Sequence, residues 1–324
     1  MKQVVFTRKW PGNAVALVQE AGLGVVERPD FNAPTENELI AMVRKGPMAI
    51  VTTVEDPVTA RVIDEADPSL RIVAQAGVGY DNVNVAEAAR RGIWTTNTPG
   101  VLDEATADLA FALLCSIARR VPQSDRYVRE GSWTCWHPSL FLGPELFRAT
   151  VGIVGFGRIG KAFARRCTGF DMNILYTAKS EKETGIPSAR YVPLEELLSE
   201  SDFVSLHVPL SPSTDRMLNA ARLALMKPGA LLINTARGRV VDTPALIDAL
   251  VHGHLGGVAL DVTDPEPLPP DHPLLALDSV IVTPHIGSAS TKARTRMAET
   301  AARNVIAVAG GNRPPNAVQD VEAQ

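Results

Sequence analysis

A chain of 324 residues exceeds one ordinary core and falls short of three, so two domains are expected. Charged residues make up 21% of it and apolar residues 45%, a globular balance that excludes a disordered protein. The formal charge of -4 gives no general attraction for nucleic acid or an anionic membrane, and neither is expected as a partner.

The chain opens on "MKQVVFTRKW", which lacks the apolar core of a signal peptide. Over the first hundred or so residues, short β-rich runs ("QVVFT", "MAIVTT", "RIVAQAG", "IWTTNT") alternate with amphipathic stretches ("NAVALVQEAG", "NELIAMVRK", "NVAEAARRG"). That alternation predicts a parallel sheet with helices on its faces. Gly22, Gly46 and Gly92 stand where a left-handed cap would end each helix.

Thr98, Pro99 and Gly100 then break the pattern, and a helix follows with Leu109, Leu113 and Ile117 on a broad apolar face. Its run "LAFALLCSIA" is stopped by Arg119 and Arg120, well short of a membrane span. Cys115, Cys135 and Cys167 show no pairing pattern, which argues for a reducing compartment, and a cytoplasmic location is expected. The aromatic segment "REGSWTCWHPSLFLGPELF" carries neither helical nor strand periodicity.

A second α/β series follows, with six strand candidates: "TVGIVG", "MNILY", "FVSLHV", "ALLINT", "GVALDV" and "VIVTP". Six strands with intervening helices suit a dinucleotide-binding sheet. The series ends near His285 and leaves a helix from about Ser290 to Ala309 with no strand after it. Either that helix caps the second domain or it crosses back onto the first. The second option is preferred, because hinges near residues 98–100 and 286–290 would let two domains close over a cleft. The expected domains are therefore 1–99 with 288–324, a discontinuous unit, and 100–287.

In "VGIVGFGRIG", Gly155, Gly157 and Gly160 form G-x-G-x-x-G between a strand and a helix. Gly155 allows the tight turn, Gly157 the approach of a pyrophosphate and Gly160 close helix packing, while free N–H groups bind the anion. The next strand should end on an acid that binds the ribose hydroxyls of NAD, yet here it runs into Thr177, Ala178, Lys179 and Ser180. A neutral pocket with an ammonium and hydroxyls accepts a 2′-phosphate, so NADP(H) is favoured. The alternative is that Lys179 is a solvated surface lysine and either cofactor, NAD(H) included, is taken; Glu181 nearby weakens the preference.

Arg237 ("LLINTARGRVVD"), Glu266 ("LDVTDPEP") and His285 ("VIVTPHIGSAS") each follow an apolar strand of the second series, at the edge where such sheets bind ligands. Each alone has an ordinary structural explanation; together they form a chemically complete set. Reduction of a 2-keto acid needs a cation for the carboxylate, an acid for the carbonyl oxygen and a partner that keeps the acid charged. Arg237, His285 and Glu266 suit these tasks in that order, and no metal is required.

On "AGVGYDNVNV", "GIVGFGRIG", "LHVPLSPST", "LLINTARGRVVD", "ALDVTDPEPL" and "TPHIGSA", the sequence resembles the D-isomer-specific 2-hydroxyacid dehydrogenases over nearly its whole length. "WTCWHPSLFLG" and "NILYTAKS" are most similar to the glyoxylate/hydroxypyruvate reductases within that family. The resemblance implies an α/β protein of two doubly wound parallel-sheet domains, a Rossmann cofactor domain inserted into a discontinuous, flavodoxin-like substrate domain, assembled as a homodimer. It implies Arg237, Glu266 and His285 as the catalytic trio, and Val78 and Gly79 as the loop whose N–H groups hold the substrate carboxylate.

For the cofactor, the resemblance implies Thr106 as a phosphate contact, Arg158 and Ile159 within the glycine loop, and Ala178, Lys179 and Ser180 at the ribose. It further implies His207 and Pro209 by the adenine, Thr214 as another cofactor contact, Thr235 and Ala236 by the nicotinamide ribose, Asp261 at the carboxamide, and Gly287 beside His285. Segment 131–143 matches the family's inter-subunit arm, with Leu140 reaching the partner's site. The expected activity is NADPH-dependent reduction of glyoxylate or hydroxypyruvate. The alternatives are a phosphite (phosphonate) dehydrogenase, a reductase of bulkier 2-keto acids, and a non-enzymatic nucleotide-sensing corepressor.

Overall fold

A computed structural model describes residues 1–320. The chain divides into two compact units, Met1–Leu102 together with the segment from Ala289 onward, and Asp103–Ser288.

The first unit runs β1 (Gln3–Phe6), α1 (Ala14–Glu20), β2 (Gly24–Glu27), α2 (Glu36–Val43), β3 (Ala49–Thr52), α3 (Ala60–Asp64), β4 (Ile72–Gln75), α4 (Val85–Arg90) and β5 (Trp94–Thr96). All pairings are parallel, in the order β2-β1-β3-β4-β5, which is the flavodoxin-like order. Strands β3 and β4 are buried at every position, which is why "AIVT" and "IVAQ" read as continuous runs and do not alternate. Gly22, Gly46 and Gly92 all take positive φ after their helices. Helix α2 starts on a capping box, Thr35 with Glu38.

The C-terminal helix Thr291–Ala309 belongs to this unit. Its Ala298, Ala301, Ala302 and Val305 are fully buried in the same cluster as Ala14 and Val18 of α1, and these small side chains bring the two helices close. Beyond it, Ala317 forms an antiparallel bridge with Thr96, covering the open edge of β5. Strand β2 was absent from the sequence expectation: it begins on a glycine, lies at the sheet edge and exposes Val26.

The second unit runs α5 (Asp103–Ala118), α6 (Val121–Arg129), β6 (Thr150–Val154), α7 (Arg158–Cys167), β7 (Asn173–Thr177), β8 (Ala189–Tyr191), α8 (Leu194–Glu200), β9 (Phe203–Leu206), α9 (Ala220–Leu223), β10 (Leu231–Asn234), α10 (Thr243–Val251), β11 (Gly257–Leu260) and β12 (Val280–Val282). Its sheet is parallel throughout, in the order β12-β11-β10-β9-β6-β7-β8. Counted from β6, this is the doubly wound dinucleotide-binding order with one further strand. The expectation of six strands is corrected to seven: β8 is a mostly exposed three-residue edge strand, too short to show a period.

Helices α5 and α7 cover one face of this sheet and α8 to α10 the other. The sheet switches direction between β6 and β9, so the ligand-binding edge lies at the carboxyl ends of its strands near that point. Residues 131–143 contain neither helix nor strand, and Trp133 and Trp136 are 62% and 80% exposed. Among the described residues no helix is long and apolar enough to cross a membrane.

Candidate active site

The glycine loop leaves β6 and enters α7. Gly155 has φ +97°, and a Cβ there would lie 2.6 Å from the His207 carbonyl oxygen. A Cβ on Gly160 would lie 2.1 Å from the Gly155 carbonyl oxygen, so a side chain at either position collides with backbone. Gly157 differs: a Cβ there meets nothing within 4 Å. It is the N-cap of α7, and no side chain caps that helix. The first-turn N–H groups, from Arg158, Ile159 and Gly160, therefore have no side-chain cap and carry the helix dipole behind them, a setting that fits a pyrophosphate.

At the end of β7 the chain passes through Ala178, Lys179 and Ser180 with no carboxylate among them. Lys182, which the sequence reasoning did not single out, donates from Nζ to Ser180 Oγ at 2.8 Å, and its backbone is fixed on both sides by the Tyr176 hydroxyl. Its signal was present in the "KSEK" run, but only the turn shows that the second lysine folds back.

Across the switch point, His207 follows β9. Its Nε2 shares a hydrogen bond with Ser205 Oγ at 2.9 Å, while Nδ1 is buried without a partner. Burial pushes its pKa down to about 3, so the ring is neutral in any working range. Thr214 Oγ1 donates to Pro209 O at 2.7 Å and accepts from Ser211 N at 2.8 Å, closing the loop after His207. Thr235, just past β10, also has a buried Oγ1 without a partner. These orphaned atoms lie at the same sheet edge as the glycine loop, and a bound dinucleotide fits there.

Arg237, Glu266 and His285 lie beyond the carboxyl ends of the adjacent strands β10, β11 and β12. Asn234, buried at the end of β10, donates from Nδ2 to Arg237 O at 2.9 Å and accepts from Ala236 N at 3.0 Å, which fixes the turn carrying Arg237. The guanidinium donates to Ala236 O at 2.8 Å. A Cβ on Gly238 would lie 1.9 Å from Thr263 O, so glycine lets the Arg237 turn run against the loop that carries Glu266.

Glu266 Oε1 meets His285 Nδ1 at 2.5 Å, and Oε2 accepts from Thr263 N at 3.3 Å. The imidazole and carboxylate are 27% and 26% exposed, and Nε2 is the ring nitrogen not engaged by Glu266. His285 has φ +50°, a left-handed conformation that costs a non-glycine residue about 1 kcal/mol or more. Asp261 holds that conformation. Its carbonyl accepts from His285 N at 3.0 Å, and its carboxylate accepts from Thr283 Oγ1 at 2.6 Å, Ile286 N at 2.8 Å and Gly287 N at 2.7 Å. Burial raises the Asp261 pKa above the usual carboxylate range, against the lowering effect of these donors and of His285. A Cβ on Gly287 would lie 3.1 Å from Asp261 Oδ2 and 3.4 Å from Thr106 Cγ2, so Thr106 of α5 belongs to the same cluster.

Val78 and Gly79 are in the first unit, on the loop after β4. Asn97 Nδ2 donates to Val78 O at 2.9 Å and Gln75 Nε2 to Gly79 O at 3.2 Å. Neither amide was foreseen, because Asn and Gln at strand ends look like ordinary turn residues.

The model of "D-isomer specific 2-hydroxyacid dehydrogenase, NAD binding domain" matches residues 111–287. The chain is also 51% identical over 325 residues to a glyoxylate reductase of Korarchaeum cryptofilum, an alignment covering 98% of this chain and 96% of that protein. The chain belongs to the D-isomer-specific 2-hydroxyacid dehydrogenase family. It is an oxidoreductase, and Asp103–Ser288 contains its nicotinamide-dinucleotide domain.

Solved structures match nearly the whole chain. A protein from Thermus thermophilus matches with TM-score 0.92 at 50% identity, over 98% of this chain and 100% of its own. An NADPH-dependent glyoxylate/hydroxypyruvate reductase from Sinorhizobium meliloti, in complex with citrate, matches with TM-score 0.85 at 33% identity over 100% of both chains.

Proposed function

We propose that this dehydrogenase reduces glyoxylate to glycolate, and hydroxypyruvate as a larger substrate to the D-2-hydroxy acid, using NADPH in preference to NADH. The observation that carries this reading is the Glu266–His285 hydrogen bond beside the Arg237 turn, at the ends of adjacent strands of a dinucleotide-binding sheet. The glyoxylate reductases among its relatives support the substrate class.

In this reading the dinucleotide is held by Gly155, Gly157, Arg158, Ile159, Gly160 and Thr106 at the pyrophosphate. Ala178, Lys179 and Ser180 take the adenosine ribose, His207 and Pro209 the adenine, Thr214 closes the loop beside them, and Thr235, Ala236, Asp261 and Gly287 take the nicotinamide half. When bound, the reduced nicotinamide supplies the hydride that the keto carbon accepts.

Arg237 binds the substrate carboxylate and steadies the charge that develops on the carbonyl oxygen. His285 gives its Nε2 proton to that oxygen, completing the hydroxy acid, and Glu266 at Nδ1 keeps the ring oriented and balances its charge. The N–H groups of Val78 and Gly79 are further ligands of the carboxylate. The missing carboxylate at the end of β7, with Lys179 and Lys182 close by, supports the preference for a 2′-phosphate. The exposed Trp133 and Trp136 of segment 131–143 support a homodimer built on that arm, with Leu140 near the partner's site, and a cytoplasmic enzyme is consistent with the free cysteines.

Steady-state rates with NADPH and NADH against glyoxylate, hydroxypyruvate, pyruvate and phosphite test this reading. Highest kcat/KM with NADPH and glyoxylate or hydroxypyruvate is expected. Turnover confined to phosphite, or none at all, would overturn it.

A further inference from the structure

The loop Gly77–Gly79 accepts a hydrogen bond on each of its carbonyls. Thr98 N donates to Gly77 O at 2.9 Å, Asn97 Nδ2 to Val78 O at 2.9 Å and Gln75 Nε2 to Gly79 O at 3.2 Å. The only cis peptides among the described residues are at Pro265 and Pro267, so the peptides of this loop are trans. In a trans peptide the C=O and the following N–H point in opposite directions. The Gly77 and Val78 carbonyls both face donors at the end of β5, so the N–H groups of Val78 and Gly79 face away from that strand.

The amides that hold the loop are themselves braced. Gln75 is fully buried; its Oε1 accepts from Thr52 Oγ1 at 2.7 Å and its Nε2 also donates to Asn82 Oδ1 at 3.1 Å. Asn82 Nδ2 donates to Thr53 O at 2.9 Å and to Asp56 O at 2.8 Å. Asp56, with no exposed surface, accepts in turn from Thr7 Oγ1 and from Thr53 N and Oγ1. The ends of β1, β3, β4 and β5 are thus tied beneath one short loop.

We propose that Asn97 and Gln75 are positioning residues for substrate binding: their amides clamp the loop carbonyls so that the Val78 and Gly79 N–H groups stay turned toward the substrate carboxylate. This rests on the proposal that those N–H groups bind the carboxylate. Neither amide touches the reacting atoms, so its loss should appear in substrate affinity and not in the rate of the bound complex. Without Asn97 the Val78–Gly79 peptide is free to rotate, and about a tenfold loss of affinity is expected, the scale of one misplaced hydrogen bond.

Two measurements separate the two layers. In the wild-type enzyme with NADPH, oxalate, a non-reducible dicarboxylate, should slow hydrogen exchange in a peptide spanning residues 77–82. No slowing would remove the loop as a carboxylate ligand, and the clamp with it. Given slowing, Asn97→Ala should raise the KM for glyoxylate about tenfold while kcat, the KM for NADPH and the melting temperature stay near wild type. Asn97→Asp, which keeps the shape but cannot donate to Val78 O, should do the same if the alanine variant fails to fold. Slowed exchange in the wild type with an unchanged glyoxylate KM in the folded variants would overturn the clamp and leave the loop's role standing.

Discussion

His285 Nδ1 lies 2.5 Å from Glu266 Oε1, with Glu266 braced in turn by the Thr263 N–H. This pairing directs Nε2 away from the carboxylate and makes the orientation of the acid depend on Glu266. Glu266→Ala removes the partner and should lower kcat on the order of a hundredfold, whereas Glu266→Gln keeps an acceptor and should lose less. Steady-state kinetics with glyoxylate check the ranking, and equal activity in all three enzymes would separate Glu266 from the chemistry.

The glycine loop offers a contrast between neighbouring positions. Gly160→Ala drives a Cβ to 2.1 Å from the Gly155 carbonyl and should destabilise the fold by about 1–3 kcal/mol or more. Gly157→Ala places its methyl in open space and should leave the melting temperature unchanged while weakening dinucleotide binding at least about tenfold, because the methyl occupies the approach to α7. Thermal unfolding with and without NADPH distinguishes the two effects.

His207 gives a pH dependence of stability. Burial lowers its folded pKa to about 3 from 6.5, so between those values the unfolded chain binds the extra proton. Stability contributed by the neutral ring is therefore present above pH 6.5 and is lost as pH falls toward 3, by about 1.4 kcal/mol per pH unit over that window. Relative to His207→Gln, the wild type should lose stability as the pH is lowered from 7.5 to about 5, which denaturant titrations at several pH values read directly.

The residues after β7 set cofactor choice. Ala178→Asp restores the missing carboxylate and would repel a 2′-phosphate while accepting hydrogen bonds from ribose hydroxyls. The ratio of kcat/KM for NADPH to that for NADH is expected to fall about tenfold to a hundredfold, equivalent to about 1.4–2.8 kcal/mol. A ratio that does not move would mean that the cofactor's ribose lies elsewhere.

The two parallel sheets were legible because their central strands are buried on both faces and read as apolar runs, as in "LLIN" and "GVAL". Strands β2 and β8 were not, since short edge strands alternate weakly and carry exposed residues. Arg237, Glu266, His285 and the three loop glycines stood out as charged or flexible residues directly after apolar strands. What holds them did not: Asp261 as the clamp on His285, Gly238 as the contact between two loops, and Asn97, Gln75 and Lys182 become visible only when residues distant in sequence are brought within hydrogen-bonding reach.

Kinetics of His285→Ala test the assignment of the proton donor most directly. With glyoxylate and NADPH, kcat should fall about 10²- to 10⁴-fold while the KM for glyoxylate and the affinity for NADPH change only a few-fold. A variant that turns over at the wild-type rate would contradict the role given to His285.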